Sequence, residues 1–501
     1  MQNFDFLIIG TGAGNIVLDA ALDAGLKCAV VEKGHFGGTC LNRGCIPSKV
    51  LITPADYIHE VEHLKRCGIL KGELKIDWPS LKEAVFAKTA EHRDILEEYL
   101  AESNLTVFQG TAEFKDNHTI IVNKNDGEKE EVAADTIVIA AGARTNVPPI
   151  DGLDQVEYLT TETFFADKFP DRPYKSLTIV GGGVIAVEFA HLFATYGTEV
   201  NIVQRNVALV PRMDREISNS LYKSYTANPN ISVFLNQNTL SASQDESGIT
   251  LKIQDKKSGE EREITAEALL IAPGVISNGD SLHLERTDLT YDKRNYIYTN
   301  EYLETAVPNI YALGDIVGHQ QLRHKANHEA EVLAHNLFGA GSEKGQARRQ
   351  VNYEIMPAGV FSYPQLASVG ASEEELKERG VDYRVDKFYF ADTAKGYAMG
   401  YRSEEYDDFV KVLAAKNSGE IYGVHIVGPN ATVLIQPYVN VMNLAKTSQP
   451  RYHEEIASDR TQYERQENFQ ALDIDACAAI ADAPVIHPAA SEVAIWACEK
   501  L

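Results

Sequence analysis

Two cysteines stand five positions apart in Gly37-Gly38-Thr39-Cys40-Leu41-Asn42-Arg43-Gly44-Cys45-Ile46-Pro47-Ser48-Lys49. Cysteine reacts as the thiolate, and nearby cations such as Arg43 and Lys49 favour that form. A structural disulfide or two buried thiols would fit the spacing alone. The surrounding glycines, and the nucleotide fingerprint upstream, point instead to a redox-active dithiol/disulfide. Near the other end, His487 stands five residues before Glu492. A neighbouring carboxylate can orient an imidazole and favour its charged form, so that it protonates a departing thiolate and later takes the proton back. His324 and His328 are four apart on an expected helix, a spacing that can bind a metal. No third ligand is evident, and no metal is expected.

The elements that must hold the cysteines begin the chain. Phe4 to Ile9 is an apolar run suited to a buried parallel strand. Gly10-Thr11-Gly12-Ala13-Gly14 follows, and a helical pattern runs from about Ile16 to Ala24. Such glycines allow a tight turn and close approach to a pyrophosphate, which rests on the free N–H groups of the helix N-terminus. A second strand, Cys28 to Val31, leads to Glu32, placed to accept both ribose hydroxyls of an adenosine. Asn15 occupies the third glycine position of the fingerprint, which predicts slightly looser helix–strand packing.

A second nucleotide unit is expected over 177–205. Leu177 to Val180 leads into Gly181-Gly182-Gly183-Val184-Ile185-Ala186, then a helix through Tyr196 and a strand from Glu199 to Val203. Here the strand ends in Gln204-Arg205, with Arg212 close behind. No carboxylate awaits a 2′-hydroxyl, and two guanidiniums are available for a 2′-phosphate, which favours NADPH over NADH.

The 501 residues suggest two to four domains. A net charge of −25 argues against a nucleic-acid partner, so an anionic dinucleotide must be drawn in by a local basic patch. No apolar stretch approaches the roughly 20 residues of a membrane helix. The chain enters its first expected strand within five residues of Met1, which predicts no secretory leader and a cytoplasmic protein. Cys28, Cys67, Cys477 and Cys498 have no partner spacing and read as incidental thiols. Helical patterns fill 54–103, including the charged run Glu91 to Glu102, and short strands fill 105–139. The run Thr136 to Ala143, with Gly142, suits close approach to a dinucleotide. Ala268 to Gly274 closes the second unit, and Tyr311 to Asp315 reads as a strand ending in an acid. The final 150 or so residues mix strands at 359–361, 409–413 and 421–426 with helices.

Over nearly its whole length the chain resembles the pyridine nucleotide-disulfide oxidoreductases, the flavoprotein family of glutathione reductase and dihydrolipoyl dehydrogenase. The matching segments are Gly10 to Gly14, Gly37 to Lys49, Gly181 to Glu188, Gly314-Asp315 and His487 to Glu492. Finer matches, at Gly10 to Asn15, Gln321 to Ala330 and Asp392 to Met399, look most like its mycothione reductase subgroup. The resemblance implies an α/β fold with two Rossmann-like dinucleotide-binding domains plus a C-terminal α+β dimerisation (interface) domain. Its boundaries would be 1–150 for FAD, 151–275 for NAD(P)H, 276–345 for a central domain returning to FAD, and 346–501 for the interface.

It further implies that Cys45 is the charge-transfer thiolate beside the flavin and Cys40 the interchange thiol that attacks substrate. Lys49 and Glu188 would pair near the flavin N5, and Asp315 would bind the ribityl chain. His487, held by Glu492, would be the acid/base for the dithiol of a second subunit, making an obligate homodimer. The implied cofactor-binding set is Gly10, Gly12, Gly14, Glu32, Lys33, Gly38, Thr39, Lys49, Gly142, Gly181, Gly183, Ala186, Arg205, Arg212, Gly274, Gly314 and Asp315. The expected activity passes electrons from NADPH (NADH being possible) through FAD and Cys40–Cys45 to a small-molecule disulfide. An NAD-linked dihydrolipoyl dehydrogenase is the alternative, and a catalytically silent flavin-binding protein is a third. Two departures stand out: Val275 follows Gly274 where the family carries arginine, and a charged segment spans 447–472 with Arg451, Arg460 and Arg465. That segment is either an exposed excursion or a part that reaches the substrate cleft.

Overall fold

The apolar runs of the sequence become buried strands in a computed structural model that describes residues 1–339, 348–401, 407–444 and 483–489. The chain forms two compact units. One is built from Met1–Pro47, Phe86–Arg144 and Val275–Tyr353, the other from Ser48–Val85, Thr145–Gly274 and Glu354–Leu501.

In the first unit, strand Gln2–Ile9 lies between Cys28–Glu32 and Lys129–Ile139, all parallel, with Ile9 opposite Val31 and Ile139. Leu105–Phe114 extends the sheet beyond Cys28–Glu32, and Ile310–Ala312 extends it beyond Lys129–Ile139. Strand Thr119–Lys124 closes an antiparallel excursion between Leu105–Phe114 and Lys129–Ile139. Side chains alternate across a strand. Accordingly Leu7 and Ile9 join a core with Val31 and Ile139. Phe6 and Ile8 face the opposite core with Val17, Leu18, Val30 and Val138. The first helix spans Gly14–Asp23, two residues earlier than its apolar pattern suggests, because Gly14 already follows the helical turn.

The second unit holds a five-stranded parallel sheet. Its order is Ile231–Phe234, Glu199–Val203, Ser176–Val180, Ala268–Ile271 and Tyr158–Leu159. Helix Val184–Thr195 follows the second glycine turn. An antiparallel meander, Gln237–Asp245, Gly248–Asp255 and Glu261–Ala266, packs Ile249, Leu251 and Ile253 against Val180, Val203 and Leu269. A separate antiparallel sheet runs Ala358–Val360, Gln365–Gly370, Ile421–Gly428, Phe409–Ala415 and Tyr383–Tyr389. The α/β class with two Rossmann-like sheets and a C-terminal α+β part is therefore as expected.

Two details differ from the sequence reading. The helical stretch 54–103 is split between Cys45–Arg66, Trp78–Ala90 and Ile95–Ala101, so the charged run from Glu91 is helical only from Ile95. The expected strand from Tyr311 to Asp315 ends at Ala312, and Asp315 lies in the 3₁₀ turn Gly314–Val317 that follows. No helix among the described residues is long and apolar enough to cross a membrane.

Candidate functional site

The dithiol segment is folded by glycines. Cys40 is buried in the short helix Gly38–Arg43, and Cys45 opens the 22-residue helix Cys45–Arg66. Between them, a β-carbon on Gly44 would lie 2.9 Å from the Thr39 carbonyl oxygen and 3.3 Å from the Cys40 Cα. Only a residue without that carbon lets the chain double back against Thr39 and Cys40 immediately before Cys45. The partial positive charge of a helix N-terminus favours a sulfur anion at Cys45. The segment also rests on the nucleotide turn. Gly38 has φ +70°, and a β-carbon there would meet the Gly12 Cα at 2.7 Å.

The first glycine turn is a tight cradle. The Gly10 amide donates to the Val31 carbonyl at 2.9 Å. At φ +98°, a Gly10 β-carbon would stand 2.4 Å from the Ala140 carbonyl oxygen. One on Gly14 would strike the Ile8 Cδ1 at 2.7 Å, so the helix packs closely on its strand although Asn15 replaces the third glycine. Glu32 is held by three donors: the Thr11 amide at 2.9 Å, the Thr11 hydroxyl at 2.8 Å and the Gly34 amide at 2.8 Å. Lys33 and Thr39 are exposed.

Asp315 is half-buried in the 3₁₀ turn Gly314–Val317 of the first unit. Burial raises its carboxyl above the usual range, and Lys325 and Arg323 offset part of the rise. The preceding Gly314 amide donates to Glu329 Oε2 at 2.7 Å, and its carbonyl accepts from Lys325 Nζ at 2.9 Å. Tyr353 donates to the other Glu329 oxygen at 2.7 Å. Lys325 and Glu329 are wholly buried one turn apart on helix Arg323–Ala334, and sequence reading gave them no role. The side-chain oxygens of Asn15 and Asn327 are buried without a hydrogen-bond partner. Open space surrounds Gly142, whose φ is +66°. A glycine cradle, an uncapped helix N-terminus, a positioned acid and two orphaned acceptors fit an FAD pyrophosphate and ribose. His324 and His328 lie on the same helix, and no metal-ligating cluster of three includes them among the described residues.

In the second unit, Lys49 and Glu188 meet at 2.7 Å. The other Glu188 oxygen accepts the Phe361 amide at 2.9 Å, and the Lys49 ammonium lies 4.7 Å from the Phe361 ring centroid. Phe361 thus holds the pair through both its amide and its ring. The second glycine turn repeats the first: the Gly181 amide donates to Val203 at 2.9 Å, and a β-carbon at its φ of +128° would be 2.2 Å from the Ala272 carbonyl oxygen. Gly183 is open to space and Ala186 is buried at the helix start. Gln204, at the end of its strand, folds back so that its amide would collide with a β-carbon on Gly182. Its Nε2 donates to the Ala208 carbonyl at 3.1 Å. Arg205 and Arg212 are exposed, Gly274 has open space at φ +116°, and Val275 begins the short strand that follows.

His487 is half-buried beside the core residue Ile486. Glu492, Cys477, Cys498 and the segment 447–472 lie outside the described residues.

Residues 4–330 match the family described as pyridine nucleotide-disulphide oxidoreductase, and residues 356–467 match its dimerisation domain. Mycothione reductase from Mycobacterium tuberculosis is 32% identical over 452 residues, covering 89% of this chain and 94% of the relative. Dihydrolipoyl dehydrogenase from Chlamydia muridarum is also 32% identical, over 437 residues, covering 87% and 89%. Among solved structures, the HOCl-induced flavoprotein disulfide reductase RclA from Escherichia coli superposes with a TM-score of 0.73. It covers 90% of this chain and 98% of its own at 24% identity, a likeness of fold.

Proposed function

The chain belongs to the pyridine nucleotide-disulphide oxidoreductases, and from that premise we propose that it is an NADPH-dependent reductase of a low-molecular-weight disulfide. The observation that carries this reading is the Cys40–Gly44–Cys45 reversal stacked on the glycine turn at Gly12. In the proposed division of the chain, 1–150 and 276–345 hold FAD, 151–275 holds the pyridine nucleotide, and 346–501 joins two copies. FAD would rest on Gly10, Gly12, Gly14, Glu32, Gly38 and Asp315, and would supply two-electron transfer between the nucleotide and the dithiol.

The remaining steps belong to side chains. Cys40 as thiolate attacks one sulfur of the substrate disulfide, and the other sulfur leaves as a thiolate protonated by His487. Cys45 as thiolate then attacks the Cys40 sulfur of the mixed disulfide, closing the Cys40–Cys45 bond, and the second sulfur leaves as a thiolate that takes a proton from solvent through His487. Each cycle consumes two electrons and two protons. His487, oriented by Glu492, serves the dithiol of the second subunit, which makes the homodimer the active form. Lys49 and Glu188 hold each other's charge, and would stand near the flavin when it is bound. Arg205 and Arg212 bind the 2′-phosphate. Mycothione, from the name of the Mycobacterium tuberculosis relative, is the first substrate to try, and a cytoplasmic setting suits thiol–disulfide exchange.

An NAD-linked dihydrolipoyl dehydrogenase is the second reading, favoured by a relative of that name at equal identity. Anaerobic titration of the flavin-loaded protein with NADPH and then NADH separates the two. Rapid bleaching by NADPH with a new long-wavelength absorbance supports the reductase. Preference for NADH, or reduction mainly by dihydrolipoamide, moves the assignment to the dehydrogenase. No reduction by any of them leaves a silent flavin-binding protein.

A further inference from the structure

The loop after the second nucleotide strand is pinned throughout. The Gln204 side chain donates to Ala208, the Val210 amide donates to the Gly182 carbonyl at 2.7 Å, and the Ser218 hydroxyl donates to Leu209 at 2.6 Å. Val210 is held at φ +39°, a left-handed conformation that a β-branched residue adopts only when its surroundings impose it. The loop therefore presents Arg205 and Arg212 from a fixed backbone.

A third cation is anchored to the same place from a distant part of the sequence. Lys256 lies in the turn between strands Gly248–Asp255 and Glu261–Ala266. Its amide donates to Asn236, itself tied to Asn206, and its Nζ donates to the Arg205 carbonyl at 3.0 Å. An ammonium has three donors, so two remain after that bond. No ion pair is formed by Lys256, Arg205 or Arg212 among the described residues. The adjoining carboxylate of Asp255 is occupied by the Lys257 and Ser258 amides at 2.8 Å and by Gln237 at 3.1 Å. Elsewhere on the same meander cations are neutralised, as Lys252 is by Glu261 at 2.6 Å. In a chain of net charge −25, two arginines without ion pairs on one pinned loop, and a lysine tied to that loop's Arg205 carbonyl, call for an anion.

We propose that Lys256 is a third reader of the NADPH 2′-phosphate, completing with Arg205 and Arg212 a basic site built from the loop and the meander turn. The proposal rests on the NADPH reading above and deepens it. The two arginines grip phosphate oxygens through forked donors, and Lys256 adds a point charge at the loop's first carbonyl.

The test uses the flavin-loaded full chain and two nucleotide fragments, adenosine 2′,5′-bisphosphate and 5′-AMP, with affinities measured by calorimetry. The wild type should prefer the bisphosphate. Lys256→Ala should lower that preference about tenfold, the scale of one charge-assisted hydrogen bond, and Lys256→Arg should restore most of it. Lys256 is exposed, so an unchanged melting temperature checks the fold of each variant. If Arg205→Ala lowers the preference and Lys256→Ala does not, the proposal is overturned while the NADPH reading stands. If the wild type shows no preference for the bisphosphate, both fall.

Discussion

The chain builds the same backbone device twice and finishes it differently. In both units a strand-end glycine donates to the neighbouring strand at 2.9 Å and passes a carbonyl oxygen too closely for any β-carbon, at Ala140 in one and Ala272 in the other. The differences lie at two side chains. Where the first unit has Thr11 and Glu32, locked together through two hydrogen bonds, the second has Gly182 and Gln204, with the glutamine lying over the space a threonine would fill. A carboxylate held by amides and a hydroxyl in one unit is replaced by an amide spent on its own loop in the other. Backbone geometry is shared by the two turns, and the side chains at the strand end are where they part.

The units also treat buried charge in opposite ways. In the first, burial raises the carboxyls of Asp315 and Glu329, and the cations beside them only partly compensate. In the second, Lys411 is wholly buried among Asp214, Glu216 and Glu373 at 3.0, 2.7 and 2.7 Å. Burial pushes Glu373 up, but hydrogen bonds from Lys377, Lys411 and Tyr383 outweigh it and bring its carboxyl down to about 2.

Because the first unit carries both thiols, Cys40→Ser should reduce disulfide turnover by at least about three orders of magnitude, the scale of losing a nucleophile. Flavin reduction by NADPH should persist in stopped-flow traces, and a variant that still turns over disulfide would break the division of labour. Lys411→Met should cost the second unit about 3–5 kcal/mol at neutral pH, because three carboxylates lose a buried partner. The sign with pH follows from Glu373. A depressed carboxyl adds stability above its unfolded pKa, near 4.5, and gives it up as pH falls toward about 2. The gap between wild type and Lys411→Met should therefore narrow in denaturant melts taken below pH 4.

Gly10→Ala and Gly181→Ala sharpen the backbone half of the comparison. The first should yield protein lacking flavin. The second should stay yellow yet be reduced by NADPH about a hundredfold more slowly, as a misplacement near 1 Å can cost. Similar outcomes for both variants would mean the turns are not separately assigned. The smallest effect is expected at the strand ends. Gln204→Glu removes the donor to Ala208 and restores an acceptor for a 2′-hydroxyl, so the kcat/KM ratio of NADPH to NADH should fall about tenfold. An unchanged ratio would remove Gln204 from the explanation.

Much of this was legible in the residues themselves. The glycine turns, the apolar run ending at Ile9 and the acid at Glu32 are local signals, and each appears in the fold where the spacing puts it. What stayed hidden was contact across long separations. Lys256 meets Arg205 through the meander, and Lys411 gathers carboxylates from two distant helical starts; neither has any mark in its neighbouring sequence. Gly44 was visible as a residue but not as the point where the chain reverses, because its significance is an approach to Thr39 and Cys40. The Lys325–Glu329 pair has the spacing of an ordinary solvent-facing helical pair, and only its complete burial sets it apart.

The discontinuity of the first unit bears on how the chain is born. Strand Lys129–Ile139 gains its last neighbour only when Ile310–Ala312 arrives, whereas every strand of the second unit's parallel sheet lies between Tyr158 and Ile271. On a ribosome adding roughly 5–20 residues per second, the later unit's nucleotide sheet is complete while the earlier one still has an open edge. During that interval an unpaired strand edge in the N-terminal half is exposed to mispairing.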